Sequence, residues 1–586
     1  MIRPALSEIQ AFLKGNPGLE LPSFPVSVLS NVTLSSLEPF LRYYGQQEQL
    51  GVSVRFGGFD TVLQDAAAAR PDLFDPQTGA VFVLLTLETL SPPLATGFTG
   101  LAASEIEAEL AAVETYVQSV LQGLRSQTQA PILWYGFETP AYPALGILDA
   151  QNESGQAGMV LALNRALRAR LKDAGNAYFI DADACQRRLG TERYFDHRLW
   201  HLAKAPFTRE ALQEMALDIA ACLRAIRGQA RKCLVLDCDN TLWAGVAGED
   251  GIEGIKLGGG YPGSCYVEFQ RQALSLHRRG VILALASRNN EADVWEIFDK
   301  HPHMVLKREH ISAWSIDWHD KAEGLRRLAG HLNIGLDSMV LADDSAFERG
   351  LVSEQLPMVR LLPVSVERPA LNRGALASCG WFDTLSMTDE DKARGQLYRA
   401  ETLRQEAKDQ FASLEGYLRS LQMRLSIAPA SEASVPRLSQ LTQRTNQFNL
   451  TTVRYSEDDI RRLSLDPASL VLGLSLADRF GDLGLVGCAI LRFEADCAMI
   501  ESLMLSCRVL GRRVEQAFLA DMARRAGERG LRRMVGLFRP SRKNAQVADF
   551  YASQGFKQAG ASFGEQRFEA EISALNQSFP SVFLPE

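Results

Sequence analysis

Three short apolar runs in the middle of this chain break off abruptly into polar residues, and that pattern restricts the fold more than any other feature. "CLVLDCDNT" passes from Cys233–Leu236 into two carboxylates one residue apart, Asp237 and Asp239. "GVILALAS" ends on Ser287, and "SMVLADD" ends on Asp343 and Asp344. Continuous apolar runs of this length, spaced by helical stretches, predict parallel strands buried on both faces. Ligand sites in such sheets lie outside the carboxyl ends of the strands. Between the last two runs "SIDWHDKAE" places Lys321 just before a helix. Three acidic groups, a hydroxyl and a lysine can therefore converge at one rim. Carboxylates crowded this closely need a hard cation to coexist, and all-oxygen ligation suits Mg²⁺.

At 586 residues the chain is too long for a single hydrophobic core. Residues 1–228 alternate runs such as "FPVSVLS", "AVFVLLTL" and "APILWYG" with amphipathic helices such as "ASEIEAELAAVETYVQSVLQGLRS", which predicts an α/β domain. Residues 229–385 form the second α/β domain, and 386–418 read as a charged helical connector. From 419 to 586, "MRLSIAPA", "ASLVLGLSLADRF", "LGLVGCAILRFE" and "CAMIESLML" read as strands and "RVEQAFLADMARRAGERG" as a helix, a mixed α+β domain. A net charge of -8 argues against broad binding to nucleic acid or membrane surfaces. Nine cysteines without CxxC pairs fit a reduced chain rather than a disulfide scaffold or zinc module. The opening "MIRPALSEIQAFLKGNPG" lacks a long apolar stretch, and no run reaches the ~18 residues of a membrane span, so a cytoplasmic protein is expected.

The four pieces of the central segment, DxDxT, a strand-end serine, an isolated lysine and a strand-end acid pair, resemble the haloacid dehalogenase (HAD) phosphotransferase superfamily. The resemblance implies that Asp237 is the phosphoryl nucleophile and Asp239 the general acid/base, whose backbone carbonyl also meets the metal. It further implies that Asp343 and Asp344 complete the Mg²⁺ site. Thr241, Ser287, Arg288, Asn289 and Lys321 would hold the phosphate and its developing charge. The short connection between the first two motifs leaves no room for a large cap domain. An uncapped site is open to a bulky substrate, a protein-borne one included.

"DCDNTLWAGVAGEDGIEGIKLG", "LALASRNNEADV", "DWHDKAEGLRRLAGHLNIGLDSMVLADDSAFERG" and "LTQRTNQFNLTT" are similar to the FkbH-like subfamily. "DRFGDLGLVG" and "LMLSCRVLGRRVE" extend the likeness into the third segment. The subfamily likeness implies a glyceryl transferase/phosphatase of polyketide biosynthesis. Such a protein takes 1,3-bisphosphoglycerate, removes phosphate and delivers a glyceryl thioester to an acyl carrier protein. Two departures stand out: "SRNN" where the family often has SKNN, and "DDSAFER" where it has DDNPAER. Arg288 keeps the charge and changes its geometry.

A thioester product raises a cysteine relay, for which Cys238 and Cys507 are the candidates; direct attack by the carrier thiol needs neither. Cys238 lies beside two carboxylates that disfavour a thiolate, whereas Cys507 precedes Arg508 and Arg512, which favour one. Each also reads as a small buried hydrophobe. "RVLGRR" (508–513), followed by a helix, resembles the pyrophosphate loop of GNAT acyltransferases, and Asn544 and Tyr551 fit that fold's ending. This likeness implies Arg508, Gly511, Arg512, Asn544 and Tyr551 as contacts for a carrier's phosphopantetheine arm. In the first segment Ser30 ends a strand where an SGNH-type hydrolase places its nucleophile, with Asp196, His197 and His201 as partners. The rest of that pattern is absent, which reads as a degenerate hydrolase fold used for packing or docking.

The expected architecture is thus three α/β-class domains: a flavodoxin-like SGNH-type domain, a HAD Rossmann-like core with minimal cap, and a GNAT-like α+β domain. The leading function is Mg²⁺-dependent glyceryl loading onto a carrier. The rivals are a phosphatase of a small phosphometabolite and a carrier-docking module.

Overall fold

The computed structural model describes residues 3–16, 21–385, 387, 404, 407, 411, 413–445, 447–541, 544–562, 564–575 and 579–584. Two compact units divide the chain, Met1–Arg224 and Ala225–Glu586. The first boundary falls four residues before the expected one. The second and third expected domains share one unit that carries two separate sheets. The connector expected over 386–418 lies largely outside the described residues.

In the first unit β1 (Ser23–Ser30), β2 (Gly51–Phe56), β3 (Ala80–Leu84), β4 (Ile132–Tyr135) and β5 (Ala177–Ile180) form a parallel sheet in the order β2-β1-β3-β4-β5. The helices Ala103–Gln127 and Gln156–Ala174 bury Val113, Val117, Val120, Met159, Leu163 and Leu167 in one cluster with the sheet residues Val81, Val83, Ile132 and Trp134.

The second sheet, also parallel, comprises β6 (Cys233–Leu236), β7 (Ile282–Ser287), β8 (Ile311–Ile316), β9 (Met339–Asp343) and β10 (Arg360–Pro363). Its order is β10-β9-β6-β7-β8. Side chains alternate along each strand. Leu234, Leu236, Leu283, Leu285, Val340 and Ala342 fill the core on one face, and Cys233, Val235, Ile282, Ala284, Met339 and Leu341 fill it on the other. The chain runs from β6 through β7 and β8 to one side, then returns to β9 on the other side of β6. That reversal opens a crevice at the carboxyl ends of β6 and β9. Between β6 and β7 lie the helices Ala247–Gly254 and Gly263–Arg278 and no further sheet, as the short connection required.

The third sheet holds β11 (Arg424–Pro429), β12 (Phe448–Asn449), β13 (Ser469–Asp478), β14 (Gly481–Phe493), β15 (Cys497–Leu505), β16 (Arg533–Phe538), β17 (Lys557–Ser562) and β18 (Glu565–Glu571). Among the described residues only β15 and β16 of these strands pair in parallel, over Cys497–Ile500 and Arg533–Gly536, and then part. The chain fills that fork itself. Phe448 and Asn449 pair with Leu505 and Met504, Leu450 N donates to Leu503 O (3.1 Å), and Arg539 N donates to Leu450 O (2.8 Å). Residues 448–450 form this wedge.

Candidate active site

The β6 strand stops at Leu236 because Asp237 turns toward the crevice while its backbone N–H still donates to Ala342 O of β9 (3.0 Å). This bond sets the ends of β6 and β9 side by side, so Asp237, Asp343 and Asp344 face one another. Their carboxylate oxygens lie within 4.8 Å of each other. Lys321 opens the helix Lys321–His331, whose first turn is capped by Asp320 accepting from Glu323 N (2.8 Å). Its buried ammonium bonds Asp343 and lies 2.8 Å from Asp237 Oδ2.

One lysine cannot balance three carboxyls in a dry crevice. Burial raises the Asp237 pKa, Asp343's charge adds to this, and Lys321 opposes it. Asp344 is likewise raised, by burial and then by Asp343. Burial works against the Lys321 charge too, yet the flanking acids outweigh it and its pKa is raised. Both members of the Lys321–Asp237 pair therefore shift upward, because the one cation is shared among several anions. An excess of clustered carboxylate oxygens is the donor set that a hard divalent cation such as Mg²⁺ requires.

The Asp239 carboxylate stands apart from that trio. Its Oδ1 accepts from Trp243 Nε1 (2.9 Å) and Ala247 N (3.0 Å), and its Oδ2 from Asn289 Nδ2 (2.9 Å). Asn289 also donates to Ser287 Oγ (3.3 Å), so the end of β7 is tied to the Asp239 loop. Thr241 is fully buried, and among the described residues its Oγ1 has no hydrogen-bond partner. A phosphate oxygen would supply one.

Arg288, expected at the phosphate, follows the end of β7. It is exposed, and its guanidinium pairs with Glu348 Oε1 (3.1 Å). Glu348 and Arg349, whose Nη1 donates to Asp343 O (2.6 Å), were missed from sequence. Their signal was the charged pair that follows "DDSAF" one helical turn on.

The thiol candidates separate. Cys238 is fully buried in the apolar cluster with Leu234, Leu236 and Trp243. Burial first, then Asp237, push its thiol well above the ordinary range. It packs as a buried apolar side chain. Cys238→Ala is expected to leave phosphate release within about threefold and to cost about 1 kcal/mol of stability, as steady-state assays and thermal melts would show. The Cys507 side chain lies outside the described residues.

Of the residues expected to contact phosphopantetheine, Arg512, Arg508 and Asn544 bond through their side chains to neighbouring residues. Arg512 is buried and pairs with Asp478 Oδ2 (3.4 Å), a carboxylate that also takes a two-pronged bond from buried Arg404 (2.6 and 2.7 Å). Arg508 is buried, with Nε donating to Ser506 Oγ (3.3 Å). Gly511 (φ +75°) and Arg513 (φ +61°) turn the chain into the helix Val514–Glu528. Asn544 is fully buried and ties the wedge down: its Nδ2 donates to Asn449 O and Arg539 O, both at 2.9 Å, and its Oδ1 accepts from Ser541 N (2.7 Å). The buried Tyr551 ring covers Gly536, where a Cβ would meet it at 2.3 Å. Asn544 and Tyr551 are thus structural braces, and the fork beside them is taken by the chain's own strand.

In the first unit Ser30 is buried at the end of β1, and its Oγ accepts from Val32 N (3.1 Å). Asp196 caps the helix His197–Ala203 through Leu199 N (2.8 Å), and His197 packs on Phe195. Among the described residues no hydrogen bond joins Ser30 to Asp196, His197 or His201. The serine stands without the triad's geometry.

No protein-family model matches this chain, and no curated protein does. Among solved structures it is similar to the N-terminal part of the protein BF1531 from Bacteroides fragilis, described as containing a phosphatase domain complexed with Mg. That match has 25% identity and a TM-score of 0.59, covering 66% of this chain and 100% of the other. Smaller likenesses include the ribosomal-protein-S18-alanine N-acetyltransferase from Escherichia coli (18% identity, TM-score 0.21, 25% of this chain and 94% of that one). Another is the GNAT domain of S. lividans PAT (19% identity, TM-score 0.21, 26% and 94%).

Proposed function

We propose that this chain is a Mg²⁺-dependent phosphoryl-transfer enzyme of the HAD type. The observation that carries the reading is the grouping of Asp237, Asp343 and Asp344 within 4.8 Å around Lys321, at the crevice of an open parallel sheet. The phosphatase domain with Mg in the Bacteroides fragilis neighbour supports it.

Mg²⁺ held by Asp237, Asp343 and Asp344 would neutralise the carboxylates and the substrate phosphate together. Asp237 Oδ attacks phosphorus, forming an aspartyl phosphate as the bond to the leaving oxygen breaks. Asp239 supplies a proton to that oxygen and later takes one from the water that hydrolyses the aspartyl phosphate, held in position by Asn289 and Trp243. Lys321, Ser287 and Thr241 bind the phosphoryl oxygens, where charge develops.

Within that class we take the FkbH-like reading further. The substrate is 1,3-bisphosphoglycerate, and the product a glyceryl thioester on an acyl carrier protein that feeds polyketide-type assembly in the cytoplasm. Motif likeness supports this step: the carrier thiolate attacks the acyl carbon and expels the 1-phosphate, while Asp237 and then water remove the 3-phosphate. A plain phosphatase of a small phosphometabolite is the second reading, favoured by the filled fork of the third sheet.

Incubating the full chain with 1,3-bisphosphoglycerate, Mg²⁺ and a holo-carrier separates the two. A carrier mass gain of one glyceryl group is expected; phosphate release without it selects the plain phosphatase. Removing the metal with EDTA should stop phosphate release in either case, and added Mg²⁺ should restore it. Release that persists in excess EDTA counts against the metal site.

A further inference from the structure

We propose that Trp318 grips the organic portion of the phosphorylated substrate, stacking on a flat or apolar group joined to the phosphate. This rests on the phosphoryl-transfer reading and deepens its second form, a phosphatase of a small phosphometabolite, since 1,3-bisphosphoglycerate carries no such group.

The tryptophans of the second sheet make the contrast. Trp243 Nε1 donates to Asp239, and the Trp295 and Trp314 indoles both donate to Glu291 Oε1 at 2.9 Å. Trp295 also packs edge-on against Trp314 and Phe298. Trp318 is 70% exposed, and among the described residues no hydrogen bond or ring contact engages its indole. An exposed indole leaves a broad apolar face open to a ligand.

Its loop, however, is held firmly. Asp317 N donates to Ser287 O (3.1 Å), joining the loop to the strand end that carries the phosphate serine. The Asp317 carboxylate accepts from His319 N (2.9 Å), Ser315 Oγ (3.1 Å) and Arg327 Nη2 (2.5 Å). Burial works against its charge, but these hydrogen bonds prevail and hold it at about 2. Asp320 then caps the helix whose first residue, Lys321, reaches the acid trio. Trp318 is therefore an exposed ring on a segment pinned on both sides to the site. The loss of freedom that weakens most surface contacts is already met by the fold.

Three residues of chain span at most about 10 Å. Trp318 therefore stands within that length of chain from Lys321, whose ammonium lies at the acid trio. Phe347, three residues past Asp344, and Tyr261, in the β6–β7 connection, are also exposed, at 74% each. With no cap domain inserted between β6 and β7, such side chains are what the strand-end loops offer the non-phosphate part of a ligand.

The test is steady-state phosphate release by the full chain with Mg²⁺, using phenyl phosphate and methyl phosphate. Trp318→Ala should raise the ratio of KM for phenyl to methyl phosphate by about 5- to 10-fold, the scale of one aromatic contact, with kcat for phenyl phosphate little changed. Trp318→Phe should recover most of that ratio. An unchanged ratio in Trp318→Ala overturns the inference and leaves the phosphoryl reading intact. No phosphate release from either ester by the unaltered chain overturns both.

Discussion

Asp237→Asn should fold normally and lose phosphate release by at least about 10³-fold, because an amide oxygen cannot form the phosphoryl bond. The substitution is nearly isosteric, so the position beside Lys321 and the backbone bond to Ala342 are kept. Its effect on stability has a definite sign. Burial raises the Asp237 carboxyl above its ordinary value, so the native state holds that proton to higher pH than the unfolded chain does. The stability linked to it is present at low pH and is lost as pH rises through the raised value. In the metal-free protein Asp237→Asn should remove part of that loss. Thermal melts in EDTA across pH 5 to 9 would show a flatter curve for the variant. Residual activity above a tenth of the native rate would place the nucleophile elsewhere.

Lys321→Met should act on stability first. The ammonium is the positive charge within bonding distance of Asp237 and Asp343, and all three groups are buried. Removing one partner of such a group leaves uncompensated charge and costs about 3–5 kcal/mol. Mg²⁺ can supply that charge to the same oxygens. The rise in melting temperature on adding Mg²⁺ should therefore be larger for the variant than for the native chain. Activity should stay low even with metal, since the phosphoryl oxygens lose a cation that Mg²⁺ at the carboxylates does not replace. Equal stabilisation of both proteins by Mg²⁺ would show that lysine and metal do not share one charge balance.

The second sheet was legible because its strands are buried on both faces, so "CLVL", "ILALA" and "MVLA" read as near-continuous apolar runs with the chemistry at their ends. Asp237, Asp343 and Asp344 were placed at strand ends for that reason, and the structure groups them with Lys321. A residue's neighbourhood in the sequence does not say which way a long side chain swings, and here Arg288 pairs with Glu348, sixty residues on. The third sheet misled for a related reason. "RVLGRR" marks a turn into a helix and nothing in it announces that Asp478 takes Arg512. Asn544 looked like a ligand contact, yet its amide is spent on the backbone of Asn449 and Arg539.

What the residues alone determined about this protein is local: where strands stop, which helices begin beside them, and which acids stand at the stops. Alternation and capping act over a few residues, so they survive being read in one dimension. Only the tertiary structure decided which charges face one another, that Asp239 leans on Trp243 and Asn289, and that residues 448–450 fill the fork between β15 and β16. Those outcomes depend on strand order and on competition among distant partners for the same buried space. Neither of these is written in the spacing of neighbours along the chain.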